Sequence, residues 1–276
     1  MELKRFYMAK QPEIDALLDG GLEKLVPWDA PRRSFREALL RGASDGLPAV
    51  IAEYKRASPS RGVICENLGP EDVARQYAEN GASAISVLTE EQYFHGSLSF
   101  LERIAACMDG GPEESRAAPI PPTPMLRKDF IFHPAQVAAT IATPASAMLL
   151  IVRLTPDARL LRRLREQAEG AGIQAVVEVF GERDLMLARE SGATVIQVNA
   201  RDLETLKVDR EACLRLSEAF PPQDGELWIA ASGMNSRSDL EAAASAGYHA
   251  ALVGSALMEH GTPGASLRAM LVGGAA

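Results

Sequence analysis

The sequence predicts an α/β protein built as a single (β/α)8 TIM barrel with additional N-terminal helices, and three observations carry that prediction. Eight short apolar runs recur along the chain, and nearly every one precedes an amphipathic stretch of helical period. Those runs are apolar on both pleat faces, as strands of a parallel sheet covered by helices must be. No GxGxxG turn follows the first run, and eight strand–helix units exceed what an open doubly wound sheet usually shows.

In chain order, residues 1–48 precede the first strand as an N-terminal helical extension. It contains a capping box, Ser34-x-x-Glu37, and is expected to pack over one barrel end. The predicted strands are Ala49–Tyr54, Ala84–Leu88, Met125–Arg127, Ala147–Val152, Ala175–Val179, Val195–Val198, Leu227–Ala230 and Ala250–Val253. Helix punctuation separates them. Thr155 reads as an N-cap with Pro156 at the first helical position, while Gly172, Gly192 and Gly247 each close a helix before a strand. The Pro/Gly-rich stretch Asp109–Pro124 has no period and reads as a mobile loop without a catalytic role. No domain boundary is visible, so residues 1–276 are read as one barrel domain.

Composition narrows the function classes. The chain is 47% hydrophobic and 24% charged, which suits a large core and excludes disorder, collagen-like repeats and a disulfide scaffold. A formal charge of -8 disfavours a nucleic-acid partner, while leaving room for a local phosphate site. Cys65, Cys107 and Cys213 show neither CxxC nor Cys/His spacing, and the four histidines (His95, His133, His249, His260) are scattered. Free thiols in a reducing compartment and no metal are expected. The segment MELKRFYMAK lacks an apolar signal region, and the longest apolar run, Ala145–Val152, is far below the ~20 residues of a membrane span. A cytoplasmic protein without membrane contact is expected.

In such a barrel, function sits where strands end. Strand 1 ends in Glu53-Tyr54-Lys55, strand 3 in Arg127-Lys128-Asp129, strand 5 in Glu178 and strand 6 in Asn199-Ala200-Arg201. An ionisable group on an apolar strand carries a desolvation penalty unless it is paired or used. A single salt bridge, Glu53 with Lys128 for instance, would be structural. Two lysines and two glutamates from three strands, all at one end, point instead to acid–base chemistry on a carbonyl. A Schiff-base lysine is the rival use of the same side chain.

Strands 7 and 8 end differently, in Ala231-Ser232-Gly233 and in Gly254-Ser255 followed by a short helix, Ala256–Glu259. Small residues with free backbone N–H groups after these two strands match the usual barrel phosphate site. Ser58 and Arg201 stand beside this arc. Phe94 and Phe130 follow strand ends and could form either core or an apolar wall for an aromatic substrate.

The segments IAEYKRASPSRG (51–62), SVLTEEQYFHGS (86–97), LRKDFIFHPAQV (126–137), LLIVRLT (149–155), VVEVF (176–180), VNARDLETLKVD (198–209) and LVGSALM (252–258) closely resemble indole-3-glycerol-phosphate synthase of tryptophan biosynthesis. The resemblance implies decarboxylating, dehydrating ring closure of 1-(2-carboxyphenylamino)-1-deoxyribulose 5-phosphate to indole-3-glycerol phosphate, with no metal or organic cofactor. By motif it implies Lys128 as the general acid on the ribulose carbonyl and Glu178 as the acid–base group of dehydration. It further implies Lys55 on the anthranilate carboxylate, Glu53 positioning the lysines and a substrate hydroxyl, and Asn199 orienting the intermediate. Phe94, Phe130, Leu149 and Leu252 would line the pocket, and Ser58, Ser232, Gly233, Gly254 and Ser255 would hold the phosphate with help from Arg201.

The sequence departs from the family pattern at Ala231, where a glutamate is usual, and at Ala200 and Gln197, the latter in place of a glycine. Loss of one hydrogen-bond partner typically costs ~1–3 kcal/mol, so a weakened or re-tuned synthase is expected. The alternative is a paralogous barrel enzyme, or a binder, acting on another phosphorylated sugar. Retention of Glu53, Lys55, Lys128 and Glu178 together argues against a binder, which needs only the phosphate arc and an apolar wall. The expected partner is a phosphorylated small molecule, bound by a monomer or weak homo-oligomer.

Overall fold

The computed structural model describes residues 2–44, 46–108, 121–202 and 205–273. Its centre is a closed barrel of eight parallel strands. These are β1 (Ala49–Tyr54), β2 (Ala84–Leu88), β3 (Met125–Lys128), β4 (Ala147–Ile151), β5 (Gln174–Val179), β6 (Val195–Asn199), β7 (Leu227–Ala231) and β8 (Ala250–Val253). β1 pairs with both β2 and β8, so the barrel leaves no open edge. Helices α1 (Glu2–Ala16) and α2 (Phe35–Gly42) precede it. Then α3 (Pro70–Glu79), α4 (Ser99–Met108), α5 (Pro134–Ile141), α6 (Ala158–Gly170), α7 (Glu182–Ser191), α8 (Arg210–Ala219) and α9 (Arg237–Ser245) follow the first seven strands in turn. Helices α10 (Ser255–Met258) and α11 (Pro263–Val272) follow β8.

Alternation along each strand divides the core in two. Outward residues such as Val50, Ile85, Leu150, Val177, Ile196 and Trp228 pack against the helical ring. Inward residues such as Ile51, Leu126, Leu149, Val176, Val195 and Ile229 fill the barrel itself. A buried run that is apolar throughout therefore serves both layers, which is why these strands show no hydrophobic alternation in the sequence.

The observed strands match the predicted ones to within a residue at either end. The differences matter at the C-terminal ends, where Lys128, Asn199 and Ala231 remain inside the ladder. Lys128 pairs with Leu88, and Asn199 pairs with Ala231. Their side-chain directions are thus set by the sheet rather than by a loop. Ser34 caps α2, accepting from the Glu37 N–H at 3.2 Å, and Gly192 closes α7 in the left-handed region at φ 84°. The cap of α6 is Asp157 rather than Thr155. Its carboxylate accepts from the Arg159 and Leu160 N–H groups, whereas the buried Thr155 hydroxyl is already committed to the Ile151 carbonyl. The short helix after β8 begins at Ser255, one residue earlier than expected.

The N-terminal extension is split between the two barrel ends rather than packed on one. Helix α1 lies over the C-terminal mouth, where the Phe6 ring stacks on Phe130 with centroids 4.2 Å apart. Helix α2 closes the opposite end. Its Phe35 and Leu39 are fully buried among the first residues of the strands, and Arg36 donates to the Thr194 and Gly225 carbonyls just ahead of β6 and β7. Between the helices, Arg32 ties the chain to the Ile141, Thr143 and Ala145 carbonyls. Residues 109–120, the greater part of the expected loop, lie outside the described residues.

Candidate active site

The C-terminal mouth holds a cavity of about 310 Å³. It gathers eleven of the fifteen sequence-predicted site residues: Glu53, Lys55, Lys128, Glu178, Asn199, Arg201, Ser232, Gly233, Leu252, Gly254 and Ser255. Arg61, Gln197 and Arg210 also line it and were missing from that set.

Glu53 is 1% exposed near the end of β1, facing inward. The register places it directly opposite Ser86 on β2, whose hydroxyl donates to Glu53 Oε2 at 3.2 Å. The Lys55 ammonium pairs with the other oxygen. Burial alone would raise the pKa of this carboxyl, but the attraction of Lys55 and Lys128 outweighs it and leaves the value below the ordinary one. Gly254 makes this packing possible. A Cβ there would lie 2.6 Å from Glu53 Oε1 and 3.2 Å from Lys55 Nζ. Its glycine is required for space rather than for a left-handed turn, and it lets the end of β8 approach the Glu53–Lys55 pair.

Glu178 is likewise 1% exposed, on β5. Its register partner on β6 is Gln197, whose amide Nε2 donates to Glu178 Oε2. Two strands further around the barrel, Ala231 is a buried small residue paired with Asn199 on one side and Leu252 on the other. The Asn199 side-chain oxygen accepts from the Arg201 N–H at 2.9 Å.

Just after β7, Ser232 adopts φ 67°, a left-handed conformation that costs a non-glycine residue of order 1–3 kcal/mol. Gly233 follows at φ 80° with its Cβ position blocked by Arg210 and Val208. Arg201, about half-buried, donates to the Leu206 carbonyl at 2.9 Å. Burial and then repulsion by Arg61 lower its pKa, with Glu53 opposing. Arg61 and Arg210 are in turn held by Glu259 and Asp239.

Four predicted residues do not line this cavity. Ser58 is buried, with a hydroxyl oxygen that has no hydrogen-bond partner. Leu149 is fully buried inside the barrel, and Phe130 lies beneath Phe6, with Phe94 at 6.1 Å between ring centroids. The Phe6 ring of α1 stacks on Phe130 on this side. Nothing local in the sequence signals that contact. Gln197 and Ser86 did carry a signal, since each is a polar residue at an inward position of an otherwise apolar strand, two residues from Asn199 and from Leu88 respectively. Arg61 and Arg210 sit outside strands, where arginine is ordinarily a surface residue.

The outward neighbours of Lys128 form a separate network. Arg127 donates to Thr89, Gln136, Thr140, Glu13 and Asp129, and Asp129 also accepts from Thr89, Lys10 and the Phe130 N–H. Burial would raise the Asp129 pKa, but Lys10 and Arg127 hold it down at about 2. Among the described residues no group of three or more His, Cys, Asp or Glu could hold a metal ion, and no helix is long and apolar enough to cross a membrane.

Comparison with known proteins decides the family. The sequence model for indole-3-glycerol phosphate synthase matches residues 3–270. The chain belongs to the indole-3-glycerol phosphate synthase family. It is 42% identical to indole-3-glycerol phosphate synthase of Roseiflexus sp. over 260 residues, covering 93% of each chain. The enzyme of that name from Carboxydothermus hydrogenoformans is 39% identical over 238 residues, covering 86% of this chain and 84% of its own. Among solved structures, 3-hexulose-6-phosphate synthase aligns over 82% of this chain and 100% of its own, with a TM-score of 0.60 at 15% identity, a likeness of fold alone.

Proposed function

We propose that the inward cluster at the barrel mouth carries out the indole-3-glycerol phosphate synthase reaction. The chain is a carbon–carbon lyase that converts 1-(2-carboxyphenylamino)-1-deoxyribulose 5-phosphate to indole-3-glycerol phosphate, CO2 and water. The observation that carries the site assignment is the convergence of Glu53, Lys55, Lys128 and Glu178 on one cavity that also contains Gly233, Gly254 and Ser255.

Ring closure needs the aromatic carbon bearing the carboxylate to attack the ribulose carbonyl. This breaks aromaticity and places negative charge on the carbonyl oxygen. The Lys128 ammonium donates a proton to that oxygen as the bond forms. The carbon–carboxylate bond then breaks, its electron pair returning to the ring as CO2 leaves. Dehydration follows. Glu178 delivers a proton to the departing hydroxyl and recovers one from the nitrogen-bearing side of the new ring, so it ends the cycle as it began. Lys55 holds the substrate carboxylate before its loss, and Glu53 fixes both lysines through its buried charge. Asn199 orients the intermediate. The phosphate sits against Gly233, Gly254 and Ser255, with Ser58, Ser232 and Arg201 as further donors, while Leu252 and the Phe94, Phe130 and Leu149 wall receive the aromatic end. Because Phe6 covers Phe130, that face is taken by the substrate only as α1 yields.

Every group invoked comes from one chain, so a monomer suffices. The free thiols of Cys65, Cys107 and Cys213 suit the reducing cytoplasm. Incubation with the carboxyphenylamino-ribulose phosphate, followed by indole fluorescence, tests the reading. Turnover by the native chain and its loss in Lys128→Met are expected; equal turnover in both would overturn the assignment.

A further inference from the structure

Gln197 stands out among the buried polar groups because half of its amide is used and half is not. It is fully buried on β6 and lines the reaction cavity. Its Nε2 donates to Glu178, while its Oε1 has no hydrogen-bond partner. With the amide N–H turned to Glu178, its carbonyl is left directed elsewhere. A buried carbonyl without a donor carries a penalty that a bound ligand's hydroxyl would remove. Ala231, a small residue on the adjoining strand, lines the same cavity.

We infer that Gln197 is a positioning residue for Glu178 and, through its free carbonyl, a receptor for a hydroxyl of the substrate's open sugar chain. The inference rests on Glu178 acting as the acid–base group. A side chain clamped on one side to that carboxylate and on the other to the polyol would fix the distance over which the proton moves. It would also confine the sugar chain to one rotamer before dehydration. The register supports a fixed clamp, since Gln197 and Glu178 are direct ladder partners on adjacent strands.

The test is a double-mutant cycle in the full-length chain. Gln197→Met keeps the length of the side chain and removes both polar ends, and Gln197→Glu keeps an acceptor but cannot donate to a carboxylate. With the carboxyphenylamino-ribulose phosphate as substrate, Gln197→Met is expected to lower kcat about tenfold or more and to raise KM. In a Glu178→Gln background it should add little further loss of kcat, because the residue it positions is already gone. Gln197→Glu should keep KM closer to the native value while losing kcat. Thermal unfolding midpoints of all four chains check that each is folded. Unchanged kcat and KM in Gln197→Met, or a loss that multiplies fully with Glu178→Gln, would overturn the inference. If the native chain does not turn over this substrate at all, it is the reading of Glu178 that fails instead.

Discussion

Within three consecutive residues at the end of β3, charge serves two purposes. Arg127 and Asp129 face the helices, and Lys128 faces the barrel mouth. On the outer face the guanidinium of Arg127 has five hydrogen-bonded partners and Asp129 is held by Lys10, Thr89 and a backbone N–H. On the inner face the wall includes a buried carbonyl, Gln197 Oε1, without a partner, and Ser58 nearby has an unpartnered hydroxyl. The same charge types are present on both sides, so ionisable residues at a strand end do not by themselves mark a site. What separates them is satisfaction. A network that has spent all its donors and acceptors holds the fold, whereas one with capacity left over is arranged for a ligand.

That contrast can be broken by moving the same kind of change from one face to the other. On the inner face, Lys128→Met is expected to lower kcat by roughly a thousandfold, within the usual range for removing a general acid. Its unfolding midpoint should stay within a few degrees of native, and a large loss of stability would place Lys128 with its structural neighbours. On the outer face the reverse holds. Arg127→Met leaves Asp129 buried with one cation fewer and should cost about 3–5 kcal/mol in denaturant unfolding. The fraction that remains folded should retain near-native kcat, and a comparable collapse in activity would erase the distinction.

The fold was largely legible because the information is local. Apolar runs of strand length and intervening helical periods are written within each segment, and all eight strands follow from them. Contacts between distant segments are not written that way. Lys10 and Asp129 are 119 residues apart, and nothing near either predicts that α1 crosses the mouth while α2 closes the far end. The same blindness explains the pocket wall. Phe94 and Phe130 follow strand ends, as the sequence shows, but the stacking of Phe6 on Phe130 joins segments 124 residues apart. The charged residues at the strand ends were visible because charge on an apolar strand is conspicuous. Of their partners, Ser86 was not singled out and Gln197 was noted only as a departure from the family pattern, since pairing them with Glu53 and Glu178 requires the strand register.

The acid stability of the two faces sharpens the comparison further. The Asp129 pKa lies at about 2, below its unfolded value, so the carboxylate's contribution is fully present above about pH 4. It fades as pH falls from about 4 to 2, removing about 2 kcal/mol of stability. Asp129→Asn should flatten that part of a stability–pH curve, and an unchanged curve would contradict the outer network's role. A smaller effect is expected far from both clusters, at the cap of α2. Ser34→Ala removes the oxygen that accepts from Glu37 and should cost about 1 kcal/mol without altering kcat.

The assignment of successive steps to Lys128 and Glu178 is tested most directly by measuring CO2 release and indole formation separately in a single-turnover reaction. Lys128→Met should slow both together, because neither begins before ring closure. Glu178→Gln should release close to one CO2 per site while indole appears far more slowly. Prompt CO2 release from Lys128→Met, or equal slowing of both products in Glu178→Gln, would contradict the division of labour between β3 and β5.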